Sequence, residues 1–385
     1  MDFQLLFNAF AAVLLNPVNF LYVFLGITGG IIVGALPGLT ATMGCALLIP
    51  FTFGRPPVEG LLMLMGIFCG GIYGGSISSI LIRTPGTPSA AATALDGYPL
   101  TQQGQAGKAI GVATTASFLG GTIGAVIMTF LSPQIAKFGL KFGPPEFFAL
   151  AIFGLGMIIT VSGRSLLKGL LAALFGLMLT TIGFDPLSGV ARFTFGSQNL
   201  LGGVTFIPAL IGLFGYAQVF RNIEKMRLVP HVKSKIEHVL PTFAEIRSTL
   251  RTIFKSALMG TFIGSIPGTG CEVAAFVSYG EAKRSSDRPE AFGTGMLEGV
   301  AAPEAGNNAA TGGAMIPMLT LGIPGDAVTA VLLGALTIHG LQPGPMLFSD
   351  HLDIVYPIFA GMIMAQLVLL VIGFSGARLF ASIIN

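Results

Sequence analysis

"YGGSISSILIRTPGTP" (Tyr73–Pro88) and "GGAMIPMLTLGIPGDA" (Gly312–Ala327) carry the same punctuation: small residues, an aliphatic run, then Pro-Gly. Proline removes a helix donor and clashes with the preceding turn, while glycine frees the backbone. Each pair therefore ends one helical segment and lets another begin. The downstream residues agree: Thr87 and Ser89 are N-cap types ahead of an alanine run, and Asp326 precedes "AVTAVLLGA". A second pair, "GALPGLTATMG" (Gly34–Gly44) and "GSIPGTGCEVA" (Gly264–Ala274), repeats the device on shorter segments. Two motifs in the same order at similar separation indicate an internal repeat.

Composition names the solvent. Of 385 residues, 53% are hydrophobic and 10% charged, against about 25% charged in a soluble domain. Mean hydropathy is +0.82. So few charges cannot cover a surface in water, so the chain is built for lipid. Its apolar runs are long and do not alternate, which excludes a porin-like barrel. The N-terminus "MDFQLLFNAF" has no basic region, so no cleaved signal peptide is expected. Cys45, Cys69 and Cys271 form no pair motif and are read as packing residues, and the four histidines have no metal-site spacing. There is no HExxH, GxSxG or P-loop, so zinc peptidase, α/β-hydrolase and ATPase chemistry are not suggested.

A spanning helix needs about 20 apolar residues. Such segments are Val18–Leu36, Val58–Ile82, Lys108–Leu131, Glu146–Val161, Leu166–Gly183, Val204–Phe220, Ile253–Ile266, Ala309–Ile338 and Leu352–Ile372, with shorter ones at Leu39–Phe53 and Cys271–Gly280. Arg221–Lys255 is a basic hydrophilic linker, cytoplasmic by the positive-inside rule, and Glu281–Glu290 is basic too. The intervening Ile253–Gly280 then enters and returns, a re-entrant hairpin with Pro267-Gly268 at its tip. Five crossings between the copies invert the second. The expected fold is an all-α polytopic membrane protein with inverted-topology repeats, broken helices and re-entrant hairpins. Its parts are a first repeat with extra helices at 1–220, a linker at 221–255 and a second repeat at 256–385. Phe53–Pro57 would lie outside and Asp96–Gly107 inside; Lys137 and Lys141, left outside, sit awkwardly with this scheme.

Inverted repeats with broken helices place substrate near the midplane. Half-helix N-termini suit a carboxylate and half-helix C-termini suit Na⁺. The candidate solute site is therefore Ser76, Ser78 and Ser79 before the first break, Arg83, Thr84, Pro85, Gly86 and Thr87 within it, and Ser89 after it. The counterpart is Asn307, Asn308, Thr311, Ile323, Pro324, Gly325 and Asp326. The Asn307 and Asn308 oxygens suit Na⁺ and their amide nitrogens a carboxylate, with interhelical hydrogen bonding the alternative. Pro37, Gly38, Pro267, Gly268 and Glu272 are ion-coupling candidates; a solvated tip is the other reading for Glu272. Arg83 either pairs with a solute carboxylate or snorkels. Glu298 and Glu304 read as interfacial caps. From another function class, Asp96 and Asp326 each follow a main Pro-Gly motif, as the carboxylate pair of a membrane-embedded aspartyl hydrolase would.

"GALPGLTATMG", "YGGSISSILIRTPGTPSAAATALDGYPLTQQGQAGKA" and "PEAGNNAATGGAMIPMLTLGIPGD" resemble the large membrane subunit of tripartite tricarboxylate transporters, the TctA family, over nearly the whole chain. The resemblance implies a non-enzymatic, multi-pass secondary transporter of the bacterial inner membrane. It implies carboxylate solutes, Na⁺ or H⁺ as coupling ion with no cofactor, a small membrane subunit and a periplasmic solute-binding protein as partners, and no nucleic acid. Members of the family usually continue with further apolar segments beyond the point where this chain stops, which implies a second repeat cut short. Where the family usually has Asn before Thr-Pro-Gly, this chain has Arg83.

Overall fold

The computed structural model describes residues 3–156, 165–185, 190–204, 208–209, 211–217, 220 and 239–384. These contain fourteen α-helices and a single two-stranded ribbon, β1 (Gly183–Phe184) with β2 (Ala191–Arg192). The helices are α1 (Phe3–Leu14), α2 (Pro17–Ala35), α3 (Ala41–Leu48), α4 (Pro57–Ile82), α5 (Ala94–Gln102), α6 (Ala106–Gly139), α7 (Pro144–Gly156) and α8 (Leu166–Thr180). After the linker come α9 (Phe243–Gly264), α10 (Gly270–Ser285), α11 (Leu297–Leu321), α12 (Ala327–Ile338), α13 (Leu347–Asp350) and α14 (Leu352–Ile384). Four are long and apolar enough to cross a membrane: Pro17–Ala35, Pro57–Ile82, Ala106–Gly139 and Leu352–Ala377. The expected segment Val204–Phe220 is described in pieces, with Ile211–Tyr216 a π-helical turn, while 221–238 of the basic linker falls outside the described residues. Arg247, Arg251 and Lys255, read from sequence as linker, lie on α9.

In lipid, helices associate through close packing at small residues rather than through hydrophobic exclusion. The glycine spacing sets this packing. Gly26, Gly30 and Gly34 of α2 lie against Met63, Ile67 and Gly71 of α4, so the two helices run parallel, four residues in step. Beyond Pro37-Gly38 the chain turns back. Along α3 and the short turn after it, Ala41 faces Gly71, Gly44 faces Ile67 and Thr52 reaches Gly60. The α2–α3 pair is thus a helical hairpin packed on α4.

The second half builds the same unit. Gly260 and Gly264 of α9 lie against Gly306 and Ala310 of α11, again in parallel, and α10 returns with Ala274 and Ser278 against Gly306. An ion pair between Lys255 and Glu281 joins the open end of this hairpin. The last helix of each half crosses to the other half. On α6, Gly120 and Gly124 seat on Ala305 and Ala309 of α11; on α14, Gly361 seats on Leu62 and Gly373 on Tyr73 of α4. Since α6 runs antiparallel to α14 (Gly121 on Gln366, Thr114 on Gly373), helices α2, α4 and α14 point one way and α6, α9 and α11 the other.

α4 and α11 are enclosed nearly end to end: every residue from Gly60 to Ile82 is buried, as is every residue from Gly299 to Thr320. α8 has no buried residue and exposes Leu167, Leu171 and Leu174. An apolar exterior around a small-residue centre is the inside-out economy of a protein solvated by lipid.

Candidate functional site

Both long broken helices end the same way. α4 terminates at Arg83, which adopts the left-handed conformation (φ 56°, ψ 18°), and α11 at Gly322 (φ 70°, ψ 20°). Glycine takes that conformation freely; arginine carries a steric cost of about 1–2 kcal/mol. The chain then passes through Pro85-Gly86 or Pro324-Gly325 and starts again. Asp326 opens α12 with a capping box: its Oδ1 accepts from Thr329 N at 2.8 Å, and Thr329 Oγ1 accepts from Asp326 N at 2.8 Å. Thr87 opens the short turn Pro88–Ala91 in extended conformation.

Each break rests on the tip of a hairpin. Gly268 N donates to Gly325 O at 2.9 Å. Gly86 is packed so tightly on the Gly34 carbonyl that an added Cβ would sit 1.8 Å from that oxygen. Gly38 and Gly268 supply the positive φ that each hairpin tip requires, 91° and 80°.

The four breaks surround one cavity of about 290 Å³ lined by Thr40, Ala41, Thr42, Ile72, Thr87, Pro88, Leu213, Ala217, Glu272, Ala327 and Val328. Most of these are first-turn or N-cap residues. Thr40–Thr42 begin α3, Thr87–Pro88 begin the turn before α5, Glu272 is in the first turn of α10, and Ala327–Val328 begin α12. First-turn N–H groups have no partner within their own helix, and each such end carries partial positive charge. One acidic side chain, Glu272, stands among them.

The sequence-derived candidates divide. Thr87 and Glu272 line the cavity; Gly86, Gly268 and Gly325 join the breaks to the hairpin tips through the contacts above, Asp326 caps α12, and Pro37, Gly38, Pro85, Pro267 and Pro324 shape the turns. Ser76, Ser78 and Ser79 are buried and donate to backbone carbonyls of Tyr73, Gly75 and Ala90 at 2.7, 3.3 and 2.8 Å. Thr84 Oγ1 bonds to the Ile82 carbonyl at 3.4 Å, and Ser89 Oγ pairs with Thr87 Oγ1 at 3.1 Å. Arg83 is away from the cavity: it is exposed, with its guanidinium 5.9 Å from the centre of the Tyr98 ring. Ile323 is buried behind the second break.

Asn307, Asn308 and Thr311 lie mid-way along α11, outside the cavity lining. Asn308 Nδ2 donates to Glu304 O and to Asn307 Oδ1 at 3.0 and 2.8 Å, and Thr311 Oγ1 donates to Asn308 O at 2.7 Å. Asn308 Oδ1 is buried without a partner.

Two expectations are corrected. Glu304 is no interfacial cap but is fully buried, with Thr93 Oγ1 donating to Oε1 at 2.5 Å and Ser117 Oγ to Oε2 at 2.9 Å. Its partners lie far away in the chain, so no residue near it announces them; the signal available is an acid within "PEAGNNAATGG", a run suited to close helix packing. The aspartyl pair does not form either. Asp96 is committed to structure: it accepts from Tyr279 Oη at 2.9 Å and from the N–H groups of Gly293, Gly295 and Met296 at 2.9, 2.8 and 2.8 Å. Asp326 meets Cys271 instead, on the same helix as Tyr279 but eight residues earlier, about 12 Å along the axis. No dyad can share a proton over that span. Among the described residues no group of three or more His, Cys, Asp or Glu side chains could hold a metal. Thr40 and Thr42 also line the cavity; the sign in the sequence is "PGLTAT", an N-cap threonine two residues past a Pro-Gly, and Thr40 Oγ1 accepts from Met43 N at 3.2 Å.

A profile of the tripartite tricarboxylate transporter TctA family matches residues 20–385. The chain is 38% identical over 358 residues to an uncharacterized 52.8 kDa protein in the TAR-I ttuC' 3' region of Agrobacterium vitis, covering 93% of this chain and 71% of that protein. It is 41% identical over 113 residues to an uncharacterized protein in the TAR-II ttuC' 3' region of the same organism, covering 29% of this chain and 47% of that one. No solved structure matches. The broken helices, the apolar exterior and a match over nearly the full length agree: the chain belongs to the tripartite tricarboxylate transporter TctA family.

Proposed function

We propose that this chain is the solute-translocating membrane subunit of an ion-driven carboxylate importer in the bacterial inner membrane. A periplasmic solute-binding protein feeds it, and a small membrane subunit accompanies it. The observation that carries the reading is the convergence of three helix N-termini, those of α3, α10 and α12, and the start of the Pro88–Ala91 turn on one cavity of about 290 Å³. A small organic anion fits that charge and size. Thr42 and Thr87 add hydroxyl donors. The Glu272 carboxylate beside an anionic solute is repulsive unless a cation or proton accompanies it, which suits coupling to Na⁺ or H⁺.

The opposed directions of α2–α4 and α9–α11, each with a hairpin on its broken helix, support reading the halves as inverted repeats and the hairpins as re-entrant. Alternating access then follows from moving one half against the other around the shared cavity.

The test is uptake of radiolabelled citrate and succinate by cells carrying the full system, comparing wild type with Thr42→Val, Thr87→Val and Glu272→Gln at matched expression. The threonine variants should weaken apparent affinity by roughly one to two decades, since each leaves a charged partner short of a donor at ~1–3 kcal/mol. Uptake should stop without the binding protein and persist without ATP while the ion gradient is held. Wild-type affinity in all three variants would move the site elsewhere.

A further inference from the structure

Glu304 is a carboxylate with no exposure, on a helix enclosed by the rest of the protein, and it lies outside the cavity lining. Both oxygens are held by neutral hydroxyls, Thr93 Oγ1 and Ser117 Oγ. No cation answers it: the ion pairs among the described residues are Lys108–Glu245, Arg192–Asp185, Lys255–Glu281 and Arg284–Glu281. An acid enclosed in a membrane protein without a cationic partner is expensive and marks an ion or proton path. We propose that Glu304 is a proton-carrying site of the transport cycle, separate from the solute cavity and linked to it through the segment from Thr87 to Thr93.

The surroundings favour a proton over a metal cation. Asn307, beside the carboxylate, has its Oδ1 engaged by Asn308, which leaves its Nδ2 donor end to face Glu304. A donor repels Na⁺ and tolerates either carboxyl form. Hydroxyls donate or accept equally well, so Thr93 and Ser117 can bond the ionised acid as donors and the protonated acid as acceptors. The other titratable groups nearby are accounted for. From α4, Tyr73 pairs with Thr114; from α5, Asp96 is bound by Tyr279 of α10 and by three backbone N–H groups; the Lys108 ammonium of α6 is on Glu245.

The link to the cavity is covalent and short. Thr87 and Pro88 line the cavity, Pro88–Ala91 is one turn, and Thr93, one residue beyond it, caps α5. Ser79 holds that turn to α4 through Ala90 O at 2.8 Å. Protonation replaces a donated hydrogen bond at Thr93 with an accepted one, at the far end of the segment that borders the solute. The proton enters and leaves Glu304 as H⁺ exchanged with water, with no other bond made or broken.

The proposal rests on the transport reading, so two measurements separate them. The first needs no solute: infrared difference spectra of the purified chain between alkaline and acidic buffer. Wild type should show a protonated-carboxyl C=O band, shifted in D₂O, that Glu304→Gln removes and Glu272→Gln keeps. The second uses vesicles carrying the full system, with radiolabelled citrate and succinate as probes. Glu304→Gln should retain solute exchange within about threefold of wild type while losing at least tenfold of the accumulation driven by a pH gradient. If Glu304→Gln does not fold, Thr93→Val with Ser117→Ala should move the pH midpoint of the infrared band upward. A band that survives in Glu304→Gln, or a folded Glu304→Gln that still accumulates solute on a pH gradient, overturns the proposal. Wild type that exchanges neither probe while showing the Glu304 band overturns the carboxylate reading alone.

Discussion

Gly268 gives its backbone N–H to the carbonyl of Gly325 at 2.9 Å, so the tip of one hairpin is pinned to the break of the helix it packs against. Gly86 and Gly34 make the corresponding approach in the first half through van der Waals contact. Neither Gly86 nor Gly325 has a positive φ, so the need for glycine there is space rather than conformation.

A methyl group at either position should therefore harm folding as well as transport. At Gly325 it would sit 2.6 Å from Ala314 Cα, and at Gly86 1.8 Å from Gly34 O. Because both neighbours are backbone, Gly86→Ala and Gly325→Ala should each cost at least ~1–3 kcal/mol and lower the thermal midpoint in detergent. Gly29→Ala is the control, having nothing within 4 Å; Gly111, in an unbroken helix, is unsuitable because its Cβ would strike Val239 O at 1.8 Å. Unchanged midpoints in the two break variants would show that the breaks are looser than this packing requires.

Arg83 should prove a local matter of backbone and ring. Arg83→Asn relieves part of the left-handed strain and gives up the exposed contact with Tyr98, worth about 0.5–1 kcal/mol. Stability should change by less than about 1 kcal/mol, and apparent solute affinity by less than twofold. A tenfold loss of affinity with unchanged stability would place Arg83 in the solute's path.

Asp96→Ala should unfold the junction between the halves. It strips one side-chain and three backbone donors of their acceptor, at least ~3 kcal/mol in total. Thermal unfolding of the purified variant measures this, and wild-type stability would mean that water replaces the carboxylate.

Cysteine labelling tests the hairpin topology. Cys45, Cys69 and Cys271 are buried, so background reaction is low. Cysteines at the exposed positions Ser248 and Ser285 should react from the same face of the membrane, and one at Ser349 from the other. Ser248 and Ser285 reacting from opposite faces would make α9 and α10 a full crossing.

Lipid as the solvent, the Pro-Gly breaks and the correspondence of the two halves were legible in the sequence, because composition and the backbone limits of proline and glycine act within a few residues. The termini that face the cavity were half legible: Asp326 and Thr87 announce helix starts, yet nothing local says that those starts meet Thr42 and Glu272. That meeting depends on which small residues let which helices touch, as Gly120 does against Ala305 and Gly34 against Gly71. The same packing decided the fate of the charged side chains. Arg83 went to the surface because its left-handed backbone turns it onto Tyr98, and Glu304 went to the interior because Thr93 and Ser117, 211 and 187 residues earlier in the chain, close over its two oxygens.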